Sequence, residues 1–178
     1  AQQMPGLDVA TIEGLSETIV ASFKGAQLAG LTTAQLSGLN TTTLLKLSSS
    51  GFAGLTTTQV MSLTTEQVTS LSSSFVKALT NAQLGVMETR DLAVLSSTNL
   101  AMLSGAQMVA LTSSQLQTLT TDALSNLNSN AVVSLTTTQI VALTTKQFAG
   151  LTTAAISALT TSQIVSIQTS DIAALSTT

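Results

Sequence analysis

Serine and threonine dominate the polar side chains of this sequence, and both become nucleophiles when a positioned base takes the hydroxyl proton. The usual base is missing, because the chain has no histidine; it has no cysteine either. What remains is a serine–lysine pairing, with Lys46 standing just before Ser48, Ser49 and Ser50. The densest ionisable cluster is Glu88, Arg90 and Asp91, while Asp8, Glu13, Glu17, Glu66, Asp122 and Asp171 are dispersed. No stretch alternates oxygen ligands as a calcium loop does, and zinc sites built on Cys or His are excluded. We read Lys46 as a surface lysine beside serines that start helices, and Glu88–Arg90–Asp91 as a local ion pair. Catalytic, cofactor-binding and metal-binding residues are expected to be absent, and no cofactor is implied. Asn40-Thr41-Thr42 matches a glycosylation sequon, yet Asn40 also stands where a helix cap is expected, and the cap reading is preferred.

The bulk composition narrows the function classes further. Charged residues make up 7% of the 178 residues, against about 25% in ordinary soluble domains. The net charge is −3, and the five basic residues, Lys24, Lys46, Lys77, Arg90 and Lys146, are scattered. Such a chain offers phosphates no basic face, so nucleic acid is not an expected partner. Four phenylalanines are the only aromatics, too few for base- or sugar-stacking platforms. Although 44% of residues are apolar, Thr-Thr or Ser-Ser pairs interrupt every run well short of the roughly 20 residues a spanning helix needs. No cationic, apolar leader opens the sequence. Either the chain is a mature or excised piece, or it is exported by a route that needs no such leader; the ending at "LSTT", partway through a unit, favours an excised piece.

The elements that would position these side chains are set by an eight-residue repeat. Stepping by eight from Leu7 to Leu175 meets leucine everywhere except Phe23, Met87 and Ile167. The sixth position of every complete octad, from Ile12 to Ile172, is apolar. No insertion breaks the register over 7–178, and only "AQQMPG" at 1–6 stands apart as an N-terminal extension. Apolar positions alternate at spacings of five and three, both odd, which an extended strand would throw onto opposite faces. A β-solenoid with corners between strands is the alternative that survives this objection. A single long helix fails too, because eight residues at 100° each rotate the apolar stripe by about 80° per octad.

The octad's chemistry instead starts a helix. In "LTTTQV", Thr56 followed by Gln59 is a capping box, in which the hydroxyl accepts from the third helical amide and the Gln side chain returns to the cap amide. Leu55 and Val60 occupy the two places of a hydrophobic staple. The second position is Ser, Thr, Asp or Asn except at Lys24, Glu88 and Gln168, and those four types are the strong helix starters. The fifth position is Gln at 27, 35, 59, 67, 83, 107, 115, 139, 147 and 163. Each octad therefore predicts one helix of about six residues. So short a helix is unstable alone. The expected fold is an all-α solenoid, a superhelix of very short helices, one per octad, with Leu and the sixth-position residues inside.

A slower rhythm overlies the octad. Gln recurs at matching fifth positions ten octads apart, Asp91 matches Asp171, and Glu66 matches Lys146. An 80-residue tandem duplication explains this; so does a superhelix completing three turns in ten octads, about 3.3 octads per turn. In such a coil the third-position residues Thr33, Thr57, Thr65, Thr137, Thr145, Thr153 and Thr161 could form a ranked, weakly charged surface. Ranked threonines are what ice-binding solenoids present, and ice binding is carried as the alternative function.

The units "LTTAQLSG", "LTTTQIVA" and "LTTSQIVS" resemble octapeptide tandem tracts in very large Gram-negative surface proteins of the adhesin-like or filament-like kind. The resemblance spans residues 7–178. It implies an exported structural element at the cell surface or outside the cell, and such tracts carry no catalytic residues to transfer. The expected function is a structural repeat: a rod, a self-assembling extracellular fibre or an adhesin stalk. Self-association is the expected partnership, motivated by the lack of a polar terminal cap at "LSTT", while the sequence names no receptor.

Overall fold

A computed structural model describes residues 4–175. Over these residues the chain is a succession of one 3-10 turn, Met4–Gly6, and 21 short α-helices from Val9–Glu13 to Thr169–Leu175, with no strand among the described residues. The β-solenoid alternative is thereby set aside in favour of the all-α solenoid. Helices run from four residues (Gly25–Leu28) to seven (Thr169–Leu175). Every helix whose cap is described opens on a second-position residue held extended, such as Thr56 at φ −71°, ψ 158°. Each closes at or just before the next first-position residue. That residue's amide donates to the sixth-position carbonyl, as Leu39 N does to Leu36 O at 3.2 Å, and its own backbone then extends into the next cap. One octad makes one turn of helix and one corner, which is why eight residues suffice.

The caps behave as their chemistry dictates. Thr32, Thr56, Thr64, Thr80, Ser104, Thr112, Thr136, Thr144 and Thr160 complete reciprocal capping boxes with the Gln three residues on. Asp8, Asn40, Ser48, Ser96, Thr120, Asn128 and Thr152 cap through the side-chain oxygen alone. Lys24 has no oxygen to offer, so its octad keeps half the box: Gln27 Oε1 accepts from Lys24 N at 2.9 Å. Ser16, Ser72 and Glu88 make no side-chain cap bond.

The described chain divides into two compact units, residues 1–94 and 95–178. Within each, helices pack on those three places further along. In the first unit Gly25–Leu28 packs on Ser49–Phe52, which packs on Ser73–Ala78; Thr41–Lys46 packs on Thr65–Ser70, and that on Thr89–Ala93. In the second, three rows are complete: Ser97–Ala101 to Thr121–Ser125 to Thr145–Ala149 to Thr169–Leu175; Gly105–Ala110 to Ser129–Val133 to Thr153–Ser157; and Ser113–Thr118 to Thr137–Ala142 to Thr161–Ser166. A stack of helices three apart is a coil with about three octads per turn. The first- and sixth-position side chains fill its axis. Leu28, Leu36, Leu44 and Phe52 in the first unit, and Leu116, Val132 and Phe148 in the second, are fully buried. Phe52 meets Phe75 edge-on with centroids 5.0 Å apart.

Two glycines mark where successive turns touch backbone to backbone. A Cβ on Gly54 would lie 2.1 Å from Gly25 Cα, and one on Gly51 would lie 2.5 Å from Phe23 O. Neither glycine has a left-handed backbone, so what it supplies is room.

Candidate functional site

The residue type that does most in this structure is the fifth-position glutamine. Gln59 is buried, and its Oε1 accepts from Thr56 N at 2.8 Å, closing the capping box. Its Nε2 points away from its own helix and donates to Leu28 O at 2.8 Å and Leu31 O at 2.7 Å, in the preceding turn. One amide thus satisfies the orphan donor of a helix start and two carbonyls at a helix end 28 and 31 residues earlier. The same bridge recurs from Gln67 to Leu36 and Leu39, from Gln139 to Met108 and Leu111, and from Gln147 to Leu116 and Leu119. Gln83 reaches Leu55 O, and Gln163 reaches Leu135 O, each at 2.7 Å.

Gln35 makes this bridge to Met4 O and Leu7 O. Met4, set apart from the repeat by its sequence, therefore does the work of a sixth-position residue, and it is buried like one. Counting eight back from Ile12 lands on Met4, so register alone was the signal that part of the extension is a degenerate octad.

The bridge gives the octad a direction. Fifth-position residues face the preceding turn and are buried from Gln35 to Asp91 in the first unit and from Asn99 to Asp171 in the second. Thr11, Ile19 and Gln27, which have no complete turn before them among the described residues, are not. Sixth-position residues face the following turn, and the pattern reverses: Ile12 through Leu92 and Leu100 through Phe148 are buried, whereas Ile156, Ile164 and Ile172 are not. Where Gln is absent the fifth position carries what the gap admits. Gly51 sits against the Phe23 carbonyl. Asp91 and Asp171, too short to bridge as Gln does, accept from Thr65 Oγ1 at 2.8 Å and Thr145 Oγ1 at 2.7 Å.

The residues singled out for chemistry fall into cap roles. Ser48 Oγ accepts from Gly51 N at 3.0 Å, and Ser50 Oγ lies 3.4 Å from Ser48 Oγ. Asn40 Oδ1 accepts from Thr43 N at 2.8 Å, as the cap reading expected. Arg90 Nε pairs with Glu88 at 2.9 Å, with Asp91 at 3.7 Å, and is largely exposed. Asp8, fully exposed, has its carboxyl held below the usual aspartate value by the Thr11 side chain and the Thr11 amide, the latter at 2.7 Å. Thr33, Thr137, Thr145, Thr153 and Thr161 are exposed, Thr57 is half-buried, and the Thr65 and Thr145 hydroxyls are turned to the aspartates. Two grooves between turns are equivalent by the 80-residue rhythm. One runs past Ser37–Thr41, Thr64 and Glu66; the other runs past Gln117, Leu119–Thr121, Thr144 and Lys146.

Comparison with known families agrees with the octad. A family model described as the ALTTAQ repeat matches residues 84–121 and 121–153, in tandem. Its motif is the stretch from eighth to fifth position, seen here as Ala142-Leu143-Thr144-Thr145-Lys146-Gln147. No curated protein and no solved structure matches the chain. Among the described residues, no helix is long and apolar enough to cross a membrane.

Proposed function

We propose that the chain is a structural element: an octad coil whose task is to supply extended, self-associating length at a bacterial cell surface or outside the cell, as part of a fibre or an adhesin stalk. The observation that carries this reading is the allocation of polar side chains. The buried amides from Gln35 to Gln163 whose partners are described each bind a helix start and the preceding turn. Most of the second-position hydroxyls, Ser16 and Ser72 excepted, are committed to caps. What is left for solvent is a skin of Ser and Thr with few charges, suited to contact between like surfaces. The surface placement is implied by the resemblance of "LTTTQIVA" and its neighbours to tracts of large bacterial surface proteins. Light scattering across a wide concentration range, with negative-stain microscopy, tests the reading. Particle mass is expected to rise with concentration, and a chain that stays monodisperse and monomeric throughout overturns it.

A further inference from the structure

Charge is distributed unevenly along the coil. Residues 95–178 carry three charged side chains, Asp122, Lys146 and Asp171, and Asp171 is buried against the Thr145 hydroxyl. The two exposed charges are therefore one acid and one base, and both hold the fourth place of their octads. Asp122 is the second residue of Thr121–Ser125 and Lys146 the second residue of Thr145–Ala149, helices that pack on each other one turn apart. Their side chains stand on one flank of the row, about 10 Å apart, the spacing of packed helices. Neither charged group meets a partner among the described residues. Thr98 and Ser170 hold the matching place in the other two helices of the row, Ser97–Ala101 and Thr169–Leu175, and both are exposed. Along the flank the order is hydroxyl, acid, base, hydroxyl.

That order is its own complement when reversed. Turned end for end, a second copy sets its Lys146 against Asp122, its Asp122 against Lys146, and its Ser170 against Thr98. We propose that this flank of residues 95–178 is an isologous interface between two copies of the chain, packed antiparallel about a two-fold axis that passes between Thr121–Ser125 and Thr145–Ala149. A parallel pairing would set Asp122 against Asp122 and Lys146 against Lys146. The charges thus select orientation and register, which is the main contribution of exposed pairs. The groove lined by Leu119, Thr120, Thr121, Thr144 and Lys146 lies between these two helix starts and admits the stem of the partner's lysine. The equivalent place in the first unit differs, because Thr42 and Glu66 stand 80 residues before Asp122 and Lys146 and leave an acid without its base. Arg90, one turn beyond Glu66, is already engaged by Glu88 at 2.9 Å. This inference rests on the self-association reading and names its surface.

Both positions are exposed, so charge reversal tests the interface in a folded chain, and circular dichroism of each variant should match the parent. In sedimentation velocity the parent should reach at least twice the 18.1 kDa monomer mass. Asp122→Lys and Lys146→Glu should each weaken that association by at least about tenfold, because each sets like charges together at both contacts. Mixing the two variants should restore it as a heterodimer, and so should both reversals in one chain. Association that neither reversal weakens, or that neither mixing nor the double reversal restores, overturns the antiparallel interface while leaving self-association standing. Loss in Lys146→Glu without loss in Asp122→Lys would assign the lysine a different partner and overturn it too. A parent that stays monomeric overturns both the interface and the self-association on which it rests.

Discussion

At the scale of the residue, glutamine is chosen over other helix formers because its amide has both an acceptor and two donors on a side chain of the right reach. Gln59 uses Oε1 for its own cap and Nε2 for Leu28 and Leu31. Removing it strands the Thr56 amide and the Leu31 carbonyl and leaves the Leu28 carbonyl to the Leu31 amide alone, whereas removing the Thr56 hydroxyl strands a single amide. Thermal or denaturant unfolding should therefore show Gln59→Ala destabilising by about 3 kcal/mol and Thr56→Ala by about 1 kcal/mol. Gln59→Glu separates the two ends of the side chain. It keeps the cap acceptor but sets a carboxylate oxygen against two carbonyls, so its folded-state pKa should rise above the unfolded value. The penalty is then present above that raised pKa and is relieved as pH falls through it, so this variant should gain stability relative to the parent on acidification.

At the scale of the element, a helix of four to seven residues exists only because it is capped, stapled and packed. Where turns meet at their closest, Gly54 leaves no space for a methyl group, with Gly25 Cα standing 2.1 Å from the would-be Cβ. Gly54→Ala should cost about 1–3 kcal/mol in unfolding experiments, because two backbones must separate; an alanine at Gly6, where nothing lies within 4 Å, serves as the control. The helices themselves were legible in the sequence, since "LTTTQV" contains cap, box and staple within six residues, all of them local interactions. The outward half of the glutamine was not, because its partners lie 28 and 31 residues away, and the octad does not fix how many units make a turn. The ten-octad rhythm of Gln and Asp left open an 80-residue duplication or a coil of about 3.3 octads per turn, and helices packing on those three places along agree with a coil of about three. Met4 escaped notice because Pro5 and Gly6 disguise its register.

At the scale of the whole molecule, each unit is stabilised by contacts that are the same from octad to octad. A first-position and a sixth-position carbonyl are present in every octad, so a bridge displaced by one unit still finds acceptors. Deleting eight residues, 137–144, should leave a cooperatively folded, helical chain destabilised by no more than a few kcal/mol, as repeat arrays sum local terms. Deleting four residues, 137–140, breaks the cap and staple phase, and circular dichroism should show the following helices weakened. Of function the sequence yields a proposal alone. Nothing in an octad made of cap, staple and bridge names a receptor, and the exposed threonines from Thr33 to Thr161 are equally at home as helix starters.

The glutamine's backward reach also bears on synthesis. Acceptor carbonyls such as those of Leu28 and Leu31 leave the ribosome before the donor Gln59 that will claim them. Each newly emerged turn carries its own fastener to a platform already laid down, and no bridging glutamine amide such as that of Gln59 waits on sequence still to come. The coil can harden continuously behind the exit site, from the amino terminus onward, with its greasy side always toward the next arrival.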